Sequence, residues 1–318
     1  MARAEFVFAR AALLSATRSF FDERNYVEVD TPVLTPALVP EPSLEVFVTE
    51  VLRPSSDRRY LVPSPELWMK RLLGAGLRRI YQISHAFRNL EEQGAWHRPE
   101  FSILEWYDTG TTWVDAQAAT TDLLQRVAAR LRVVGTQPVA AIDATPLAIT
   151  MADLCAKAVG ETLVGQSAAE LRRIATDLST AWQADDSWEV LFHRIFLEHV
   201  EGTIPVDRPV FVTDYPSGIV TMARTASGAV TSERWELYLN GIELANCYQE
   251  ETDPERLRQL FRAETVRMAD ARTPRETDWE LIDAFANTPA CSGVALGMDR
   301  LLALALGEDG LARVLPFG

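Results

Sequence analysis

Along this 318-residue chain the clearest alternation of apolar and polar positions runs from Arg234 to Glu250. Trp235, Leu237 and Leu239 fall on one side of a pleat, Glu236 and Tyr238 on the other, and Asn240-Gly241 is a strong two-residue hairpin signal. Pairing Leu239 with Ile242 sets the register, so Tyr238 faces Glu243 and Glu236 becomes its diagonal neighbour on the same face. Two carboxylates this close repel unless a cation lies between them. A simple pleat sends Asn246 to the face opposite Glu243, so a ligand that touches both requires a bulge near Ala245.

A second strand pair leaves along Arg78 to Asn89 and returns, after a polar loop, along Pro99 to Tyr107. On the return Phe101, Ile103, Glu105 and Tyr107 share a face. A carboxylate among such neighbours is costly unless it meets a cation. Arg88, at the end of the outgoing strand, is a fixed fork suited to phosphate. The stretch Cys291 to Arg300 reads as a strand turning into a short apolar helix that Gly307 caps. Arg300 then falls in the first turn of that helix, where the dipole disfavours a cation and a bound anion resolves the conflict. Phe6, Leu13, Ala16 and Phe20 predict an N-terminal amphipathic helix. Leu171, Ile174, Leu178 and Trp182 repeat that spacing within a helical segment at about 151–203, read as an insertion and not as an independent unit. Ala37 to Ser43 reads as a proline-punctuated loop and Ser55 to Arg59 as a polar turn.

Composition narrows the function classes. A hydrophobic content of 47% allows a large core, and no composition shift marks a second domain. A formal net charge of -14 argues against a broad nucleic-acid surface, although Lys70-Arg71 and Arg78-Arg79 are local basic spots able to dock an acidic partner. Cys155, Cys247 and Cys291 form no metal-spaced or disulfide pattern, and no signal peptide or membrane-length apolar run is visible, which points to a reduced cytoplasm and no membrane partner.

Three segments together resemble the signature motifs of class II aminoacyl-tRNA synthetases in the lysyl, aspartyl and asparaginyl branch. Glu28 to Pro32 is similar to motif 1 with its dimer-interface proline, Phe87-Arg88-Asn89 with His97 to Phe101 to motif 2, and Gly293 to Arg300 to motif 3. Within the branch, Ser64 to Leu73, Leu104 to Tyr107, Gly241 to Asn246 and Cys291 to Gly297 resemble the truncated lysyl-tRNA synthetase paralogues that attach (R)-β-lysine to elongation factor P. The motif 1 helix begins almost at Met1, leaving no room for an anticodon-binding barrel, so the expected organisation is one α+β catalytic domain over 1–318, an antiparallel sheet flanked by helices. The resemblance implies a homodimer in which elongation factor P replaces tRNA.

It also implies a set of roles. Arg88 contacts the α-phosphate and Arg300 the γ-phosphate of ATP, the two catalytic candidates; Phe101 stacks on adenine, and Asn89, His97, Arg98, Leu244 and Gly297 complete the nucleotide site. Glu236 and Glu243 hold Mg²⁺. Glu66 meets the backbone-side amine of the amino acid, Glu105, Tyr107 and Glu250 the distal ammonium, with Ser64, Asn246 and Ala295 lining the pocket. A diamino acid wants several carboxylates, and no cation is read at these positions. Ala295 replaces the glycine of true lysyl-tRNA synthetases, which narrows the amine side and favours a β-amine. Several positions depart from the family. Arg88-Asn89 is followed by Leu90 where the family carries glutamate, so that either Glu91 is the displaced adenine contact or the contact is absent. Leu67-Trp68, Trp96, Arg98 and Cys247 also differ from the relatives' usual residues. The competing readings are an adenylating enzyme using α-lysine or another amino acid with tRNA or another carrier, and a catalytically silent binding paralogue; the complete phosphate and metal set counts against the last.

Overall fold

A computed structural model describes residues 4–52, 57–90 and 94–315. Its strands are β1 (Val27–Glu28), β2 (Leu34–Thr35), β3 (Val48–Val51), β4 (Asp57–Leu61), β5 (Arg79–Phe87), β6 (Glu100–Thr109), β7 (Leu147–Thr150), β8 (Val210–Thr213), β9 (Arg234–Leu239), β10 (Ile242–Gln249) and β11 (Cys291–Gly297). The helices are α1 (Ala4–Asp22), α2 (Glu66–Gly74), α3 (Trp113–Val133), α4 (Met151–Val159), α5 (Ala168–Asp177), α6 (Trp188–Ile195), α7 (Pro254–Arg267), α8 (Glu280–Phe285) and α9 (Met298–Ala305). Eight strands form one sheet in the order β1-β5-β6-β11-β10-β9-β8-β7, antiparallel except at the β1/β5 and β7/β8 ends. A small sheet, β2-β4-β3, stands beside it. Its strand β4 occupies Asp57 to Arg59, read from sequence as part of a polar turn; residues 53–56 lie outside the described part.

Both turn residues of the β9–β10 hairpin, Asn240 and Gly241, take left-handed φ values of 52° and 74°, as a turn matched to strand twist requires. Leu239 pairs with Ile242 and Tyr238 with Glu243, as the alternation predicts. The ladder then slips: Ala245 pairs with Leu237, leaving Leu244 as an extra residue, and Asn246 pairs with Glu236. This bulge returns Asn246 to the face that carries Glu243. One cross-strand row consequently reads Glu105, Ala295, Asn246, Glu236 across β6, β11, β10 and β9.

The opposite face of the sheet is packed by the N-terminal helix, whose Phe6, Ala9, Leu13, Ala16 and Phe20 are buried, together with α3 and α9. The helical segment from α4 onward has its own apolar cluster, yet Val210, Val212 and Tyr238 from β8 and β9 belong to that cluster. Leu171 and Ile174 are buried on α5, whereas the helix ends at Asp177, so Trp182 lies beyond it and is 38% exposed. Gly307 follows α9 with φ 71°, the left-handed stop expected of it.

Helix α2 lies so close to α8 that a Cβ at Gly74 would sit 1.6 Å from the Ala284 carbonyl oxygen, a backbone atom that cannot swing aside. Gly74→Ala therefore forces the helices apart at a cost of about 1–3 kcal/mol, and a melting temperature lowered by roughly 5 °C in a calorimetric scan is the expected result.

Candidate active site

The face opposite α1, α3 and α9 is left open because the central strand lacks side chains there. Gly293, Ala295 and Gly297 of β11 alternate onto it, flanked by the β6 row of Ile103, Glu105 and Tyr107 and by the β10 row of Asn246 and Tyr248. Walls of side chains beside a nearly bare strand make a trough. Its nucleotide-sized part is a cavity of about 320 Å³. Arg88, His97, Arg98, Phe101, Glu243, Leu244, Asn246, Ala295, Gly297 and Arg300 all line it, which brings together ten residues selected from sequence.

At one end of this cavity the cations are held on rigid elements. The Arg88 guanidinium lies 5.3 Å from the centre of the Phe101 ring. Arg300, in the first turn of α9, folds back to donate to the Glu243 carbonyl at 2.8 Å and the Trp96 carbonyl at 3.3 Å, and its Nη2 lies 2.9 Å from His97 Nε2. Backbone carbonyls and a loop histidine thus stabilise the cation that the helix dipole disfavours. Asp299 anchors the helix: it accepts from Arg10 at 2.6 Å and from the Ser102 N–H at 2.7 Å, tying α1, β6 and α9 together. Arg98 donates to the Gly94 and His97 carbonyls of its own loop.

The two carboxylates assigned to a metal differ in their surroundings. Glu236 accepts from Tyr215 at 2.5 Å and Tyr238 at 2.9 Å and is paired with Arg234, whose guanidinium lies 4.5 Å over the Tyr215 ring. Glu243 is pushed up to about 7 by burial and by the Glu236 charge, against the pull of Arg300, Arg234 and Arg88. A hard divalent cation would remove that unfavourable charge pairing, and oxygen donors suit it. Among the described residues no group of three or more His, Cys, Asp or Glu side chains could hold an ion, so a magnesium on Glu243 and Glu236 would have to take most of its ligands from phosphate and water.

Beyond Ala295 the trough becomes acidic. Ser64, just ahead of α2, accepts from the Glu66 N–H at 3.0 Å and donates to Glu105 at 2.5 Å; the Tyr107 hydroxyl lies 3.4 Å from the other Glu105 oxygen. Burial and the Glu66 charge raise Glu105 to about 8, with Ser64, Lys70 and Arg88 opposing. Into this group comes a cation that the sequence reading excluded. Lys70 is 1% exposed, with its ammonium 2.6 Å from Glu66 and 2.7 Å from Glu250. It is no surface spot for an acidic partner. Burial alone would push its pKa down, but Glu250 and Glu66 raise it well above the usual lysine value. Burial likewise raises Glu250, and the ammonium beside it opposes that shift. Gly293 fixes the geometry, because a Cβ there would lie 2.3 Å from Glu250 Oε1 and 2.4 Å from Tyr107.

The remaining positions fall elsewhere. Asn89 is outside the cavity lining: its N–H donates to the Glu45 carbonyl at 2.8 Å and its side chain accepts from Leu90 N–H. Leu90 adopts a left-handed φ of 57° and lines a separate surface groove with Arg272, away from the nucleotide-sized cavity. Glu91 lies outside the described residues. A Cβ at Gly297 would meet nothing nearer than Arg300 at 3.6 Å, so the glycine there is not demanded by the protein's own packing. Sequence reasoning missed Lys70, Gly293, Asp299 and Glu41, the last raised to about 7 by burial and Glu66. The four-residue spacing of Glu66 and Lys70 on one helix, and the alternation of small residues through β11, were the available signals. Nothing local links Asp299 to Arg10.

Comparison with known proteins gives the same picture along nearly the whole chain. The family described as tRNA synthetases class II (D, K and N) matches residues 2–318. The "Elongation factor P--(R)-beta-lysine ligase" of Vibrio parahaemolyticus is 36% identical over 318 residues, covering 97% of this chain and 94% of that protein. The protein of the same name from Salmonella typhi is 34% identical over 314 residues, covering 97% and 93%.

The Glu105 carboxyl should be protonated at neutral pH. An infrared difference spectrum between the wild type and Glu105→Gln is expected to show a protonated carboxyl band that disappears with a midpoint near 8. In Ser64→Ala the midpoint moves higher, because a donor to the charged form is lost; a midpoint between 4 and 5 contradicts the assigned environment.

Proposed function

The chain belongs to the class II tRNA synthetases of the D, K and N group, and from that premise we propose that it activates (R)-β-lysine with ATP and transfers it to a lysine ε-amine of elongation factor P. The observation that carries this reading is the polarity of one trough. Arginines Arg88 and Arg300 stand at the nucleotide-sized end, and Glu66, Glu105 and Glu250 stand beyond Ala295 at the other. Such a cleft takes a polyanion and an ammonium-bearing acid side by side.

In the first step a carboxylate oxygen of the amino acid attacks the α-phosphorus, the bond to the leaving pyrophosphate breaks, and an aminoacyl adenylate results. Arg88 stabilises charge growing on the α-phosphate and draws the acid toward it; Arg300, held by carbonyls, receives the terminal phosphate. Phe101 offers its ring to adenine, and His97 and Arg98 close the loop side. Glu243, with Glu236 beside it, would hold Mg²⁺, which supplies positive charge to the phosphate oxygens when bound. Glu66, Glu105, Glu250, Tyr107, Ser64 and Asn246 orient the amino acid. In the second step the acceptor amine, as the free base, attacks the acyl carbon; a C–N bond forms, the C–O bond to AMP breaks, and the amine proton leaves to solvent. No protein nucleophile is required.

The Ala295 methyl stands in the cross-strand row between Glu105 and Asn246, at the junction of the two ends. There it narrows the space available to an α-amine. Val7, Phe8, Val27, Val33 and Leu34 are exposed apolar residues around α1 and the start of the motif 1 segment, which supports a homodimer through that face.

Pyrophosphate exchange should proceed with (R)-β-lysine and Mg²⁺ without tRNA, and elongation factor P should gain the mass of one β-lysyl group. Arg88→Ala is expected to lose about 3 kcal/mol of transition-state stabilisation, roughly two orders of magnitude in exchange; unchanged exchange removes the assignment. Ala295→Gly should shift the ratio of β-lysine to α-lysine exchange toward α-lysine by about tenfold or more, and light scattering should give a dimer at micromolar concentration.

A further inference from the structure

The cation between Glu66 and Glu250 is out of character for this chain. Of its 31 Lys and Arg residues only Lys70 and Lys157 are lysines, so arginine serves almost everywhere a positive charge is needed. At position 70 the ammonium is the group that fits: a compact charge with three donors reaches two carboxylates at 2.6 and 2.7 Å, where a planar guanidinium needs a wider seat. Met222 Sδ lies at 3.8 Å and the centre of the Phe285 ring at 5.3 Å, and the residue is 1% exposed.

We propose that Lys70 is a specificity-determining positioning residue, which fixes Glu66 and Glu250 and cancels one of the pocket's negative charges so that the site calls for a substrate with two ammonium groups. This rests on the diamino acid reading above. Three carboxylates, Glu66, Glu105 and Glu250, converge on the amino-acid end, and Lys70 supplies one internal positive charge against them. Two negative charges remain once Glu105 ionises. That matches a diamino acid, whereas a monoamino acid of the same shape leaves Glu105 protonated and its ammonium contact unmade. Glu41, a fourth buried carboxylate nearby, is raised to about 7 by burial and the Glu66 charge, against the pull of Arg88, Arg275 and Lys70. Among the described residues Glu105 meets the hydroxyls of Ser64 and Tyr107 and no cation at hydrogen-bonding distance, so it is the receptor open to a substrate ammonium. Glu66 and Glu250, already oriented by Lys70, accept the second through their remaining lone pairs.

The charge count also fixes how many protons binding displaces. The groups that face the cluster are Glu66 on α2, Glu105 and Tyr107 on β6, Cys247 and Tyr248 on β10 with Glu250 just after it, Cys291 on β11, and Glu41 and Arg88 from the adjoining loops. Glu105, which burial and the Glu66 charge raise to about 8, is the carboxyl that must give up its proton when an ammonium arrives.

The test compares the wild type with Lys70→Met, a side chain of similar length without charge. In pyrophosphate exchange the variant is expected to show a KM for the diamino acid raised at least about tenfold, while kcat and the KM for ATP stay within about threefold. Its preference for lysine over norleucine should fall in parallel. A folded variant with unchanged amino-acid KM and unchanged preference makes Lys70 a core ion pair only and overturns the proposal. The second measurement uses the wild type alone: calorimetric binding of the amino acid at pH 7 in buffers of different ionisation enthalpy should report release of about one proton. Release of two or more contradicts the charge count and overturns the proposal even where the variant fails to fold. Absence of exchange in the wild type would remove the parent reading instead.

Discussion

One extra residue in one strand decides what the rest of this molecule can do. Leu244 sits unpaired in β10, and its insertion reverses the inward-outward alternation between Glu243 and Asn246. Upstream of it Glu243 shares a face with Tyr238 and Glu236; downstream Asn246 and Tyr248 share that same face, and Glu250 follows at the strand's end. With a regular pleat, one set would point into the core packed by α1 and α3. The bulge therefore joins a phosphate-side carboxylate to an amine-side pocket on one surface.

The second constraint is an absence of side chains. Gly293, Ala295 and Gly297 line the trough floor, and the structure separates their reasons. At Gly293 the protein itself forbids a Cβ, since Glu250 and Tyr107 occupy the space. At Gly297 the protein leaves room, a Cβ meeting nothing nearer than Arg300 at 3.6 Å. Ala295 is intermediate, one methyl on the row that joins Glu105 to Asn246.

Charge is organised along the trough. Several buried carboxylates have a defined opponent: Glu236 has Arg234 and two tyrosines, Glu250 and Glu66 have Lys70, and Asp299 has Arg10. Glu105 and Glu243 are raised to about 8 and about 7, and among the described residues no ion pair joins either of them to a cation. Burying such groups without a ligand opposes folding, and the rigid anchoring of α2 on α8 and of α9 on α1 holds them in place.

By itself the sequence determined what depends on near neighbours. The hairpin turn at Asn240-Gly241, the β5–β6 strand pair with Glu105 between apolar residues, the strand-to-helix turn ending at Arg300 and the buried stripe of α1 all follow from alternation, turn chemistry and helical spacing within short windows. Motif-level resemblance carried the residue roles as far as a match of residue types can. Only the tertiary structure decided that Lys70 lies inside the acidic pocket, that Leu244 is the bulge, that Asn89 turns away to Glu45, and that Asp299 meets Arg10 from the far end of the chain. Each of these depends on where two distant segments come to rest against one another. A lysine reads the same in sequence whether its ammonium ends in water or between two carboxylates, and burial against a partner far along the chain makes that choice.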